Sequence, residues 1–169
     1  GFAAVDAVHR DPPASSEQVL HPERYYHLRD PPMTVSLGGT EGIEAAGYTP
    51  TVEDTLGELH VRVLAGQGLD AAGAARIADG WGGDRFRALA RGDDLVLVWL
   101  TAWDSPGDAE EFAEALPAFL ADARVEQRDD RVLVEPLAAR FRKADVLAVV
   151  AVRRTRVAEA EDLLGRVID

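Results

Sequence analysis

The residues able to do chemistry are few. The chain has four histidines, His9, His21, His27 and His60, and no cysteine. Without thiols there is no thiolate metal site, disulfide scaffold or cysteine nucleophile. No histidine belongs to an HExxH or other close metal pair, and no GxSxG, P-loop or GxGxxG segment occurs. The suggestive spacing is Glu17 with His21. Four residues apart, they share a face if the segment is helical. A carboxylate beside an imidazole is an acid–base pair or half of a metal site. Both residues also have a plain structural account: Glu17 serves a helix start, and His21 ends the helix before Pro22. Glu17 and His21 are therefore candidate auxiliary residues, and no catalytic constellation is assigned.

A second constellation is aromatic. Gly80-Trp81-Gly82-Gly83-Asp84-Arg85 and Trp103-Asp104 stand at the two ends of an expected hairpin, which brings the tryptophans together. Rings beside Asp84, Arg85 and Asp104 form a candidate ligand pocket. The structural account is that the tryptophans close the core, the aspartates fix turns and Arg85 pairs locally. Acidic residues are concentrated nearby. From Gly92 to Ala123 there are eight (Asp93, Asp94, Asp104, Asp108, Glu110, Glu111, Glu114, Asp122) and no basic residue. Asp93, Asp94, Asp104 and Asp108 are conceivable calcium ligands, but their spacing matches no EF-hand loop. Turn and helix-start roles explain them, and no metal is assigned to this chain.

The elements that must position these groups follow from periodicity and punctuation. Residues 1–10 read as a helix end, stopped by Asp11-Pro12-Pro13. Ser15 and Ser16 open a short helical turn, and Pro22 opens another. Residues 33–37 suggest a short strand and 38–50 a loop. Thr51 with Asp54 predicts a capped helix through Gln67, with Leu56, Leu59 and Val63 on its core face. Asp70 caps a helix that ends at Gly80, and Trp81–Asp84 reads as a turn. A half-exposed strand over 84–91 and a buried one over 95–103 follow. Ser105-Pro106-Gly107-Asp108 starts a helix with Phe112, Leu116, Phe119 and Ala123 inward, which Pro117 should bend or end. Residues 124–128 pair with 131–135, and 138–142 with 145–152, before a final helix from Thr155. Hairpin-length connections imply an α+β domain over 51–169, its antiparallel sheet packed by helices on one face. A loop-rich, partly helical extension over 1–50 precedes it.

With 169 residues, 47% apolar and 28% charged, the chain is long enough for a hydrophobic core without staples. A net charge of −12 argues against nucleic acid as a partner, since neutralising phosphates takes a basic face. No run of eighteen apolar residues exists to span a membrane.

Two stretches resemble a known family. SSEQVLHPERY, preceded by Pro12-Pro13, and GWGGDR…WD…DAEEF together resemble the C-terminal half of large secreted bacterial proteins similar to zinc metallopeptidases. The resemblance runs from Phe2 to about Phe112. It implies an upstream helix bearing HExxH, which this sequence lacks. The zinc, its ligands and the general base would then belong to that upstream segment. This chain would be an extracytoplasmic, non-catalytic accessory domain that supports or gates the site, with the upstream domain as its partner. Glu17 or His21 would assist from outside the zinc shell, or as a transition-state donor. The alternative is a ligand- or protein-binding α+β module with a pocket near Trp81 and Trp103.

Overall fold

The computed structural model describes residues 1–37, 40–92 and 94–119, and the backbone of four further strands at 124–128, 131–135, 138–143 and 146–153. Asp93, the inward-facing roles expected of Phe119 and Ala123, and the helix expected from Thr155 lie outside that description. The N-terminal part holds α1 (Phe2–Arg10), α2 (Ser16–Leu20), a π-helical segment (Arg24–Leu28) and α3 (Glu41–Ala45). Then come β1 (Thr49–Asp54), α4 (Gly57–Ala65), α5 (Ala71–Asp79), β2 (Trp81–Arg91), β3 (Asp94–Trp103) and α6 (Pro106–Phe119). Strands β4 (Arg124–Arg128), β5 (Arg131–Glu135), β6 (Ala138–Lys143) and β7 (Val146–Arg153) complete one seven-stranded sheet. Its order is β1-β2-β3-β7-β6-β5-β4, and every described pairing is antiparallel. The fold class is α+β. No helix among the described residues is long and apolar enough to cross a membrane.

Local capping chemistry sets several helix starts as expected. Ser15 Oγ accepts from Gln18 N at 3.3 Å to open α2, and Asp70 Oδ1 accepts from Gly73 N at 2.7 Å to open α5. Ser105 and Asp108 close a reciprocal pair at the start of α6: Ser105 Oγ accepts from Asp108 N and donates to Asp108 Oδ2. Pro117 lies inside α6 without ending it before Phe119. It falls in the last turn, where only a few bonds remain to be lost.

Three expectations are corrected. Residues 51–54 do not start a helix; they lie in β1, with Val52 opposite Ala88 and Asp54 opposite Phe86. Thr51 and Val52 are β-branched, and the β2 edge offers their backbone a ladder that outweighs a local cap. The expected loop over 38–50 contains α3 and the first residues of β1. Strand β2 begins at Trp81, so the Trp-Gly-Gly-Asp stretch is strand with a register shift between Trp81 and Gly83, not a turn. That shift is a bulge, which re-aims side chains where it falls.

The late start of α4 also rotates its face. Leu59 and Val63 are 45% and 56% exposed, whereas Glu58, Val61 and Ala65 are buried. The inward stripe is i, i+3, i+7 from Glu58, two positions out of step with Leu56, Leu59 and Val63. Above the sheet, α4, α5 and α6 enclose a core of Val61, Ile77, Trp81, Trp99, Trp103 and Phe112, among others. Trp81 and Trp103 are cross-strand partners, as the hairpin reading expected. Phe112 meets Trp103 at 4.5 Å and Trp99 edge-on at 6.0 Å between ring centroids.

The segment before α3 crosses the first residues of β2. Met33 N donates to Gly82 O at 2.7 Å, although 33–37 forms no regular strand. A Cβ on Gly83 would lie 2.4 Å from Met33 O, a backbone atom with nowhere to move. Gly83→Ala should therefore cost roughly 1–3 kcal/mol of stability through forced backbone displacement, measured by urea denaturation. An unchanged midpoint would contradict this close crossing.

Candidate functional site

Asp84 is buried between the sheet and the helices, and its carboxylate is the most heavily used acceptor in the described structure. Oδ1 accepts from Gly57 N at 2.8 Å and Trp81 Nε1 at 3.2 Å; Oδ2 accepts from Trp99 Nε1 at 2.8 Å and Leu56 N at 2.9 Å. The Asp84 carbonyl takes the Thr55 hydroxyl at 3.1 Å. One side chain thus caps α4, where a carboxylate suits the positive helix end. It also satisfies two buried indoles. Gly57 adopts φ +78°, and a Cβ there would come within 2.5 Å of Ser16 Oγ. That oxygen in turn accepts from Leu59 N at 3.2 Å, so α2 docks directly on the start of α4.

This docking brings the Glu17–His21 helix against α4 and α5, where a second polar centre forms. Glu17, 2% exposed, is bound by Arg24 Nη1. Arg24 Nη2 donates to Asp79 Oδ1 at 3.1 Å and to the Asp79 carbonyl at 3.2 Å, and Asp104 Oδ2 lies 3.7 Å from Nη1. His21 Nε2 lies 2.9 Å from Glu58 Oε1 and 3.3 Å from Asp79 Oδ1, and its Nδ1 is 3.7 Å from Glu23. Glu58 is 1% exposed, and its second oxygen, Oε2, is buried with no hydrogen-bond partner. The centre therefore sets Glu17, Glu58, Asp79 and Asp104 against one guanidinium and one imidazole.

Protonation follows from that imbalance. Burial pushes Glu17 up to about 7, a larger effect than the pull of Arg24 in the opposite direction. Burial likewise raises Glu58 against His21, and Asp104 against Arg24. Burial works against the Arg24 cation, but Glu17, Asp79 and Asp104 outweigh it and raise its pKa, so the guanidinium stays charged. The centre is equipped to store a proton on a carboxylate, or to accept a further cation.

A cleft of about 730 Å³ lies on the other side of α2, between residues 14–16 and 32–37 and the sheet. Trp81, Asp84, Arg85 and Arg87 line it. Arg85 and Arg87 both pair with Glu53 of β1, at 3.0 and 2.6 Å, and those bonds hold the Glu53 carboxyl below its ordinary range.

The structure separates some sequence candidates and joins others. Glu17, His21 and Asp104 meet in the polar centre. Trp81, Asp84 and Arg85 share the cleft wall. Trp103 lines neither; its Nε1 donates to Thr101 Oγ1 at 3.0 Å inside the core. Asp108 is occupied by Ser105 and Asp104 faces Arg24, so these two do not form a calcium loop. Glu58, Asp79 and Arg24 escaped the sequence reading. Glu58 gives no signal because the apolar residues Leu56, Leu59 and Val63 mark a different face as the inward one. Asp79 reads as an ordinary helix-end residue, and Arg24 as one of many arginines.

A family model described as a domain of unknown function, DUF8575, matches residues 47–164. No curated protein and no solved structure matches the chain.

Two outcomes are expected. Asp84→Ala leaves four N–H donors without an acceptor and should cost about 3–5 kcal/mol; Asp84→Asn should cost less. Urea denaturation followed by tryptophan fluorescence measures both, and equal costs would contradict the acceptor role. The second concerns pH. Below about pH 4.5 Glu17 is protonated in folded and unfolded chains alike; between about 4.5 and 7 the unfolded chain releases the proton and the folded chain keeps it. Stability should fall across that window by on the order of 3 kcal/mol, and Glu17→Gln should flatten the fall. Thermal melts at a series of pH values test this, and parallel wild-type and variant curves would contradict it.

Proposed function

The chain belongs to the DUF8575 family, whose description assigns no function, and from the resemblance of its SSEQVLHPERY and GWGGDR…WD…DAEEF stretches we propose that it is a non-catalytic accessory domain of a secreted metallopeptidase-like protein, supporting or gating a zinc site on an upstream segment. One observation carries this reading. The SSEQVLHPER stretch, which bears the family resemblance, is fastened to the α+β body by a buried ionic centre that spans α2, the π-helical segment, α4 and α5. Such a clamp holds the N-terminal extension in a fixed attitude. Helix α1, at the far end of that extension, buries none of its residues against this chain, and Phe2 is 89% exposed. An upstream segment is the partner that this apolar surface would meet.

Within this reading Glu17 is a positioning residue. It is enclosed and committed to Arg24, so it acts through the attitude of the extension. His21, a quarter exposed, holds the other end of the same helix against Glu58.

The cleft beside Trp81, Asp84 and Arg85 favours a second reading, a ligand-binding module. Trp81 is the natural reporter of occupancy, because the residue borders the cleft and its Nε1 is held by Asp84, which borders the cleft too.

The test uses the chain beside its full-length parent. The chain alone, supplied with zinc, should not hydrolyse peptide substrates, and the parent should. Arg24→Met in the parent should lower hydrolysis about tenfold with bound zinc unchanged, the size typical of losing an outer support. Unaltered activity, or a parent without an HExxH segment, would overturn the accessory reading. Saturable quenching of tryptophan fluorescence by a small ligand, lost in Arg85→Ala, would favour the binding module instead.

A further inference from the structure

The polar centre carries more than a clamp requires. A clamp between α2 and α4 needs His21 and one oxygen of Glu58. It does not need a second carboxylate oxygen buried without a partner, which costs stability wherever it occurs. Glu58 Oε2 is such an oxygen, on a side chain 1% exposed. The other oxygen of the same carboxylate, Oε1, lies 2.9 Å from His21 Nε2, and one donor atom each of His21, Glu58 and Asp79 lie within 4.8 Å of one another. Asp79 Oδ1 stands 3.3 Å from the same His21 nitrogen, and both distances match the spacing of neighbouring donors on a single ion with metal–nitrogen and metal–oxygen bonds of about 2.0–2.2 Å.

We propose that His21, Glu58 and Asp79 bind a divalent first-row transition-metal ion, in a site belonging to this chain and separate from any zinc site on an upstream segment. The donor set points to the class. An imidazole nitrogen is a poor ligand for magnesium or calcium and a good one for zinc and its neighbours, and two carboxylates neutralise a divalent charge. The elements supply a preformed frame: His21 closes α2, Glu58 stands on the inward stripe of α4, and Asp79 ends α5. Burial differs across the three in a useful way. Glu58 is enclosed, His21 is a quarter exposed and Asp79 is 55% exposed. The ion therefore enters from the Asp79 side, and that side keeps an open position for water or a further ligand.

Arg24 is the group that opposes this assignment, because its Nη2 shares Asp79 Oδ1. Its charge is met elsewhere as well: Glu17 binds Nη1, Asp104 lies 3.7 Å from it, and the Asp79 carbonyl accepts from Nη2. Arg24 can give up the Asp79 carboxylate and keep three oxygen partners. The surrounding carboxylates outnumber the local cations, and a divalent ion corrects that deficit.

The experiment is a zinc titration of tag-free, chelator-stripped 169-residue chain, read by calorimetry and by thermal melting, with calcium and magnesium in parallel. Wild type should bind one zinc ion and melt higher with it, and the hard ions should give little shift. Glu58→Gln keeps the shape and removes the charge, so the metal-free variant should melt no lower than wild type yet bind zinc about tenfold or more weakly. Asp79→Asn, at an exposed position, should fold normally and show the same loss. His9→Ala and His60→Ala, outside the cluster, should leave binding unchanged. No zinc-dependent shift in wild type would overturn the site, as would binding that survives both Glu58→Gln and Asp79→Asn.

Discussion

The Asp84 carboxylate is the constraint on which the described structure depends. Two indoles and two backbone amides converge on its two oxygens. A buried carboxylate is tolerable only when its lone pairs are fully used, and here each donor also needs the carboxylate. Trp81 and Trp99 can be buried because their N–H groups have an acceptor. Helix α4 can begin at Gly57, with no capping side chain of its own, because Asp84 reaches across from β2. The β2 bulge directs that carboxylate at the helix start.

From that start the rest of the N-terminal half follows. A helix beginning at Gly57 turns Glu58, Val61 and Ala65 inward and leaves Leu59 and Val63 outside. It also exposes its first turn to Ser16, which docks α2. Once α2 is docked, Glu17 and His21 fall against Arg24, Glu58 and Asp79. The polar centre is thus a consequence of one capping interaction, and a shift of α4 by one residue would dismantle it. Four-residue spacing sets Glu17 in the first turn of α2 and His21 at its C-cap, and their principal partners are different: Glu17 faces Arg24 and His21 faces Glu58. Their common role is to hold one short helix at both ends.

The same dependence explains why the acidic composition matters less than its distribution. The surplus of −12 is read from the whole chain, yet the chemically consequential carboxylates are four that the fold brings beside Arg24 and His21. Glu17 and Glu58 come from helices far apart in sequence, and Asp104 follows the strand that carries Trp99. Burial makes Glu17, Glu58 and Asp104 harder to ionise than ordinary carboxyls. The acids of the α6 first turn are ordinary helix-start residues by comparison, and Asp108 is paired locally with Ser105.

The features legible without the fold are local ones. The α+β class, the hairpins, the caps at Ser15, Asp70 and Ser105 and the pairing of Trp81 with Trp103 are all set by interactions among residues close in the chain or by strict alternation. The Glu17–His21 spacing was legible for the same reason. Tertiary structure alone decided that residues 51–54 are strand, because the β2 edge competes with a local cap and wins. It also decided that Trp-Gly-Gly-Asp is a bulged strand, which depends on a close crossing by Met33. Most consequentially, it set the phase of α4. A helix carries its side chains at 100° per residue, so only the position of its first residue says which face is inward. That position is fixed by Asp84, 27 residues further along the chain, and no local pattern reports it.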